Sequence, residues 1–227
     1  MEIIKYLTFL IPLAISILLF LYFRFKTGKD SSGLLLLAFF YGAISIVLVL
    51  VMQIIASSLG LDDLRNIRRI IFYSVVVVAF FSEFGKYFFL RAFIYPKERF
   101  RNPVDGIIYS VMIAMGFATV NNLLYFVPLP NLEVNTVNAV TAGPANVIFG
   151  ILMGFFIGLG KLRKLRLIDS MTGLLAAIFF HSLYAFCLIT QDYRLLWAFF
   201  IGSVIIAGSL SIAAIRIKMD HQRENPS

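Results

Sequence analysis

Glu83 and Lys86 stand three residues apart in Phe80-Phe81-Ser82-Glu83-Phe84-Gly85-Lys86-Tyr87, within a long apolar run. A charge in hydrocarbon costs roughly 2.5–3.5 kcal/mol on insertion scales, so two in one segment need a reason. At i,i+3 they share a helix face and can neutralise each other, as a structural pair fixing helix register would. The sharper expectation, the default for ionisable groups at membrane depth, is that they line a polar cavity. Further along stand Asn121-Asn122, then Pro144-Ala145-Asn146, then His181 in Phe179-Phe180-His181-Ser182-Leu183-Tyr184-Ala185. The two adjacent asparagines point about 100° apart on a helix, so one can face a cavity while the other bonds a neighbouring helix. Pro144 removes a backbone bond and should kink its helix beside Asn146. His181 is either a hydrogen-bonded packing residue or a member of the same polar site.

That inventory limits the chemistry. A hydrolytic zinc site takes about three protein ligands plus an open position for water. Glu83 and His181 are the only buried donors of that kind, since asparagine ligates zinc poorly, so no metal and no cofactor is expected. Glutamate-dependent hydrolysis needs a carboxylate base and donors for the oxyanion. Glu83 and His181 would supply the first pair, with Asn121 or Asn146 as oxyanion donor, while Lys86 one turn away competes for the carboxylate. Ser82 and Lys86 at i,i+4 are a weak basis for a Ser-Lys dyad, and Cys187 reads as a packing residue. Asp105, in Asn102-Pro103-Val104-Asp105-Gly106, reads as a helix cap.

These residues need helices to position them. The chain has 227 residues, 60% hydrophobic and 14% charged, with mean hydropathy +0.91. Soluble domains are less apolar and more charged, disordered chains far more polar, and one cysteine builds no disulfide scaffold. The apolar stretches do not alternate at period two, which excludes an outer-membrane barrel. What remains is an all-α polytopic bundle in a single domain over 1–227, with about seven spans: 3–23, 33–58, 70–94, 105–127, 137–160, 168–190 and 193–215. The first lacks a small-residue cleavage site and reads as a retained helix. Glycines at 150, 154 and 158 make a smooth stripe for a closely packed neighbour.

The net charge is +8, but the basic residues punctuate the spans in short clusters, so nucleic acid is not an expected partner. Arg24, Lys26, Lys29, Lys97, Arg99, Arg101, Lys161, Arg163, Lys164, Arg166, Arg216, Lys218 and Arg223 fall on one side. Lys5, Arg65, Arg68, Arg69 and Arg194 fall on the other. The positive-inside rule then places the amino terminus outside and the carboxyl terminus in the cytoplasm.

Over about residues 70–190 the chain resembles the PrsW family of bacterial intramembrane proteases, in the wider group that includes the CAAX prenyl endopeptidases. Phe81-Ser82-Glu83-Phe84-Gly85-Lys86-Tyr87 looks like the family's Glu-Glu-x-x-Lys motif. Asp105-Gly106-Ile107-Ile108-Tyr109, with Gly116-Phe117-Ala118-Thr119-Val120-Asn121-Asn122-Leu123-Leu124-Tyr125, is similar to Asp-Gly-x-x-Tyr … Gly-Phe-Ala-x-x-Glu-Asn-x-x-Tyr. Pro144-Ala145-Asn146 resembles a Pro-Ala-His segment, and Phe180-His181-Ser182-Leu183-Tyr184 the last His motif. By the resemblance, Ser82 replaces the first Glu of the pair, Asn121 the second-motif Glu and Asn146 the histidine, and Ala185 falls where an acidic or amide residue is expected. Glu83, Lys86, Asp105, Asn122 and His181 match.

The resemblance implies a PrsW-like bundle with a degenerate catalytic centre, a pseudoenzyme that binds a transmembrane helix or lipid in the old substrate cleft and acts as a regulatory partner. One alternative is an active glutamic-type intramembrane protease using Glu83 and His181. Another is a transporter or receptor with a polar intramembrane cavity.

Overall fold

The structure, a computed structural model, describes residues 10–28, 31–124 and 136–224, and among these every regular element is helical. The helices are α1 (Ile11–Thr27), α2 (Ser32–Ser58), α3, α4 (Pro103–Leu123), α5 (Thr136–Leu162), α6 (Arg166–Ile189) and α7 (Tyr193–Glu224). Helix α3 runs through Ile67–Phe72, Tyr73–Phe80, Phe81–Phe89 and Leu90–Ile94, the second and fourth pieces in π-helical geometry. The other five helices from α2 onward are long and apolar enough to cross a membrane. α3 joins them as a composite of shorter pieces, and α1 is described over 17 residues. The chain is thus a multi-pass membrane protein, and over the described residues its helices coincide with the expected spans to within a few residues, with one exception. Helix α7 continues to Glu224 rather than ending near 215, because its polar turns leave the apolar layer still helical. The start of the first span, the end of the fourth, Lys5, Lys29 and Tyr125 lie outside the described residues.

Helix α4 is the centre of the bundle, with 78% of its most apolar window buried. It packs against α5 on one side and α2 on the other. In lipid there is little hydrophobic drive to join helices, so close backbone approach must supply the attraction. The glycine stripe does this. A Cβ on Gly154 would lie 2.3 Å from the Gly106 carbonyl oxygen, and one on Gly158 would lie 2.5 Å from Pro103 Cα. Helix α2 meets α4 in the same way, where a Cβ on Gly116 would lie 1.9 Å from the Phe39 carbonyl oxygen. These contacts hold α4 against both neighbours and so fix where its polar carboxyl-terminal half faces.

The start of α4 corrects one expectation. The capping residue is Asn102, not Asp105: Asn102 Oδ1 accepts from the backbone N–H groups of Val104 (2.9 Å) and Asp105 (3.2 Å). Asp105 is the reciprocal partner, its Oδ2 accepting from Arg101 N (3.0 Å) and Asn102 Nδ2 (2.8 Å). Pro103 sits at the first helical position, where its missing N–H costs nothing, and this moves the cap back to the residue before it.

The tight α4–α5 seam makes a stability prediction. Gly154→Val places atoms against backbone and should destabilise the bundle by about 1–3 kcal/mol. Gly202→Val, where an added Cβ meets nothing, should leave thermal unfolding of the detergent-purified protein nearly unchanged.

Candidate functional site

The central piece of α3, Phe81–Phe89, carries a polar side chain on each turn of one face: Ser82, Glu83 and Lys86 are all buried. It is flanked by the two π-helical pieces, whose wider turns each insert a residue and rotate the turns after them. Helix α6 delivers His181 to the same depth and α5 delivers Asn146. His181 Nδ1 lies 2.6 Å from Glu83 Oε1, and Lys86 Nζ donates to the same oxygen at 2.5 Å. Lys86 Nζ also donates to Asn146 Oδ1 at 3.0 Å, while Asn146 Nδ2 donates to the Ala142 carbonyl at 3.0 Å.

Aromatic rings complete the enclosure. The Lys86 ammonium lies 4.6 Å from the Phe117 ring centroid and 5.7 Å from that of Phe149. Phe149 in turn stacks on the His181 imidazole at 4.7 Å. Glu83 and Lys86 are only 1% and 2% exposed. The ionisable pair is thus neutralised within the bundle, as a charge pair shielded from lipid must be.

Beside this network opens a cavity of about 390 Å³. Ser82, Asn121, Asn146, His181 and Ala185 all line it, from α3, α4, α5 and α6. Glu83 and Lys86 do not; they stand behind its wall, joined to it through His181 and Asn146. Asn122 turns away from the cavity and donates to the Ala139 carbonyl of α5 at 2.9 Å, so the adjacent asparagines divide their roles as their angular separation requires. Asp105 belongs to the helix cap at the far end of α4.

Sequence reasoning missed part of the lining. Gln53 of α2, Tyr73 of α3, Asn138 of α5, Tyr184 of α6 and Gln191 beyond it also face the cavity. Tyr184 Oη donates to Asn138 Oδ1 at 2.9 Å and lies 2.8 Å from Thr141 Oγ1. Gln53 was the available signal: it is an amide in an otherwise apolar carboxyl-terminal half of α2.

The donor set does not fit a metal. Among the described residues no three His, Cys, Asp or Glu side chains come together. The one carboxylate oxygen facing His181 already takes the Lys86 ammonium, a cation held between Glu83 and Asn146. Asn121 and Asn146 offer neutral amide oxygens, poor partners for zinc.

Comparison with known proteins places the chain. The sequence profile described as PrsW family intramembrane metalloprotease matches residues 30–212. The protein named Protease PrsW from Halalkalibacterium halodurans is 31% identical over 182 residues, covering 78% of this chain and 80% of the relative. Its namesake from Geobacillus kaustophilus is 24% identical over 85% of this chain and 82% of the relative. That from Clostridioides difficile is 29% identical over 82% of this chain and 79% of the relative. No solved structure matches the chain significantly.

The buried network carries its own test. Lys86→Met leaves the Glu83 carboxylate without its cation and should cost about 3–5 kcal/mol of stability. Adding Glu83→Gln removes the stranded charge, so the double variant should recover much of that loss in a detergent unfolding cycle.

Proposed function

The chain belongs to the PrsW family of intramembrane proteases, and from that premise we propose that it is a catalytically silent member, which holds a membrane-embedded polypeptide segment in its cavity and acts by binding or regulation. One observation carries this reading: among the described residues that line the cavity there is no carboxylate, no cysteine and no cation. Hydrolysis needs a group that takes a proton from water at the reacting carbonyl, and among the described lining residues only the His181 imidazole is of that kind. The positions that by resemblance would hold the reactive acids and the second histidine are Ser82, Asn121 and Asn146, and all three present neutral groups to the space a substrate would fill.

The same lining explains what the cavity suits. Gln53, Asn121, Asn138, Asn146 and Gln191 offer amides, and Tyr73, Ser82 and Tyr184 hydroxyls, giving donors and acceptors without net charge. A polypeptide backbone entering from the bilayer brings unpaired N–H and C=O groups that require such partners. The protein would then sit in the inner membrane with its amino terminus outside, in line with the excess of Lys and Arg on the opposite side.

A second reading is favoured by one contact. His181 Nδ1 is held by Glu83 at 2.6 Å, while Nε2 of a cavity-lining ring has no hydrogen-bond partner among the described residues. A carboxylate orienting an imidazole is the arrangement of a general base, so Glu83 and His181 would be the pair used by an active glutamic-type protease.

Reconstitution with a single-span polypeptide separates the two. Photo-crosslinkers placed at Leu188 and Ile189, on the cavity wall, should capture the segment, and mass spectrometry should find it intact. Cleavage by the wild-type chain that disappears in Glu83→Gln and in His181→Ala would overturn the silent reading in favour of the active one.

A further inference from the structure

At the opposite end of the bundle from the polar cavity's α6 carboxyl terminus, two cations from two helices meet around one tyrosine, with a third cationic residue at the start of a neighbouring helix. The Arg91 guanidinium carbon lies 4.0 Å from the Tyr95 ring centroid, and Lys161 Nζ lies 4.3 Å from the same ring. Lys161 also faces Phe100 at 5.8 Å. Arg166, at the start of α6, lies against the residue before Lys161: a Cβ on Gly160 would stand 3.4 Å from Arg166 Cα. Tyr95 is 5% exposed, and its hydroxyl donates to the Gly160 carbonyl at 3.4 Å, which ties the end of α3 to the end of α5.

Gathering like charges costs free energy, most where burial reduces screening by water. Among the described residues no carboxylate pairs with Arg91, Lys161 or Arg166. Asp169, the acidic residue of the adjoining turn of α6, is directed to Arg163 at 3.8 Å. The rings of Tyr95 and Phe100 orient the cations but carry no charge to cancel theirs. Such an arrangement calls for an external anion.

The surroundings identify its source. Leu165, Leu167 and Ile168 beside the cluster are 61%, 67% and 58% exposed, and Phe93 on the last turn of α3 is 41% exposed. In a membrane protein such side chains face lipid, so the cations lie where the bilayer's hydrocarbon gives way to headgroups. A phosphate held there would be attached to acyl chains able to run along those apolar residues. A basic pocket between the ends of transmembrane helices is the geometry that takes anionic headgroups. We propose that Arg91, Lys161 and Arg166 form a binding site for the phosphate of an anionic phospholipid, clamping together the ends of α3, α5 and α6. Because α3 and α6 also carry Glu83 and His181, an occupied site would steady the helices that build the polar cavity.

The test uses the full chain in mixed micelles containing phosphatidylglycerol or phosphatidylcholine at equal mole fraction, with retained lipid counted by native mass spectrometry. The wild type should keep phosphatidylglycerol through delipidation and lose phosphatidylcholine. Arg91→Gln with Lys161→Gln should reduce phosphatidylglycerol retention by about tenfold or more. Arg216→Gln with Arg223→Gln removes the same charge from exposed positions on α7 and should change nothing. Equal losses in both double variants would reduce the site to general surface charge and overturn the proposal. Full displacement of the lipid by millimolar inorganic phosphate would overturn the lipid as its source. If the first double variant does not fold, Lys161→Gln alone carries the test, with a selective loss again expected.

Discussion

An ammonium and a carboxylate enclosed in a helix bundle, both buried, set the terms for everything around them. Glu83 and Lys86 must neutralise each other, and each needs further partners for the hydrogen-bonding capacity the pair leaves over. His181 and Asn146 supply them, and these come from α6 and α5. The pair therefore does more than neutralise one segment: it sets the rotation and depth of three helices relative to one another. The Phe117 and Phe149 rings close the remaining directions and give the cation an electron-rich wall instead of lipid.

This closure has a chemical consequence. The Glu83 carboxylate is shared by an imidazole and an ammonium through one oxygen, and it is not among the residues that line the cavity. The cavity is faced by amides, hydroxyls and the His181 imidazole. The glycine seam between α4 and α5, the Asn102 cap and the buried pair keep the PrsW-type bundle in place, while the polar groups lining the cavity are amides, hydroxyls and one imidazole. The basic cluster at the far ends of α3, α5 and α6 shows the converse arrangement, cations with no carboxylate partner among the described residues, set against the Tyr95 and Phe100 rings.

The fold was largely legible in the sequence because its governing constraint is one-dimensional. A span must be about twenty apolar residues long, and runs of that length are visible without knowing what they touch. The glycine periodicity on α5 likewise announced a close neighbour, and only the identity of that neighbour, α4, was hidden. The π-helical pieces of α3 were not legible. Tyr73–Phe80 reads as an ordinary apolar run, and only packing against α6 and α2 can favour its wider turns over regular ones. Because each such turn shifts the facing of later residues, periodicity alone could not tell that Ser82 reaches the cavity while Glu83 stays behind its wall.

What the sequence settled by itself was which residues need partners: a Glu, a Lys, a His and several Asn at membrane depth have no stable existence alone, whatever their neighbours. It did not settle which residue satisfies which. That Lys86 bonds Asn146, that Asn122 turns to Ala139 while Asn121 faces open space, and that Asn138 and Tyr184 join the lining depend on helices distant in the chain meeting at fixed rotation. Hydrogen bonds are directional and extend about 3 Å, so small changes in rotation or depth exchange one partner for another, and only the assembled bundle fixes both.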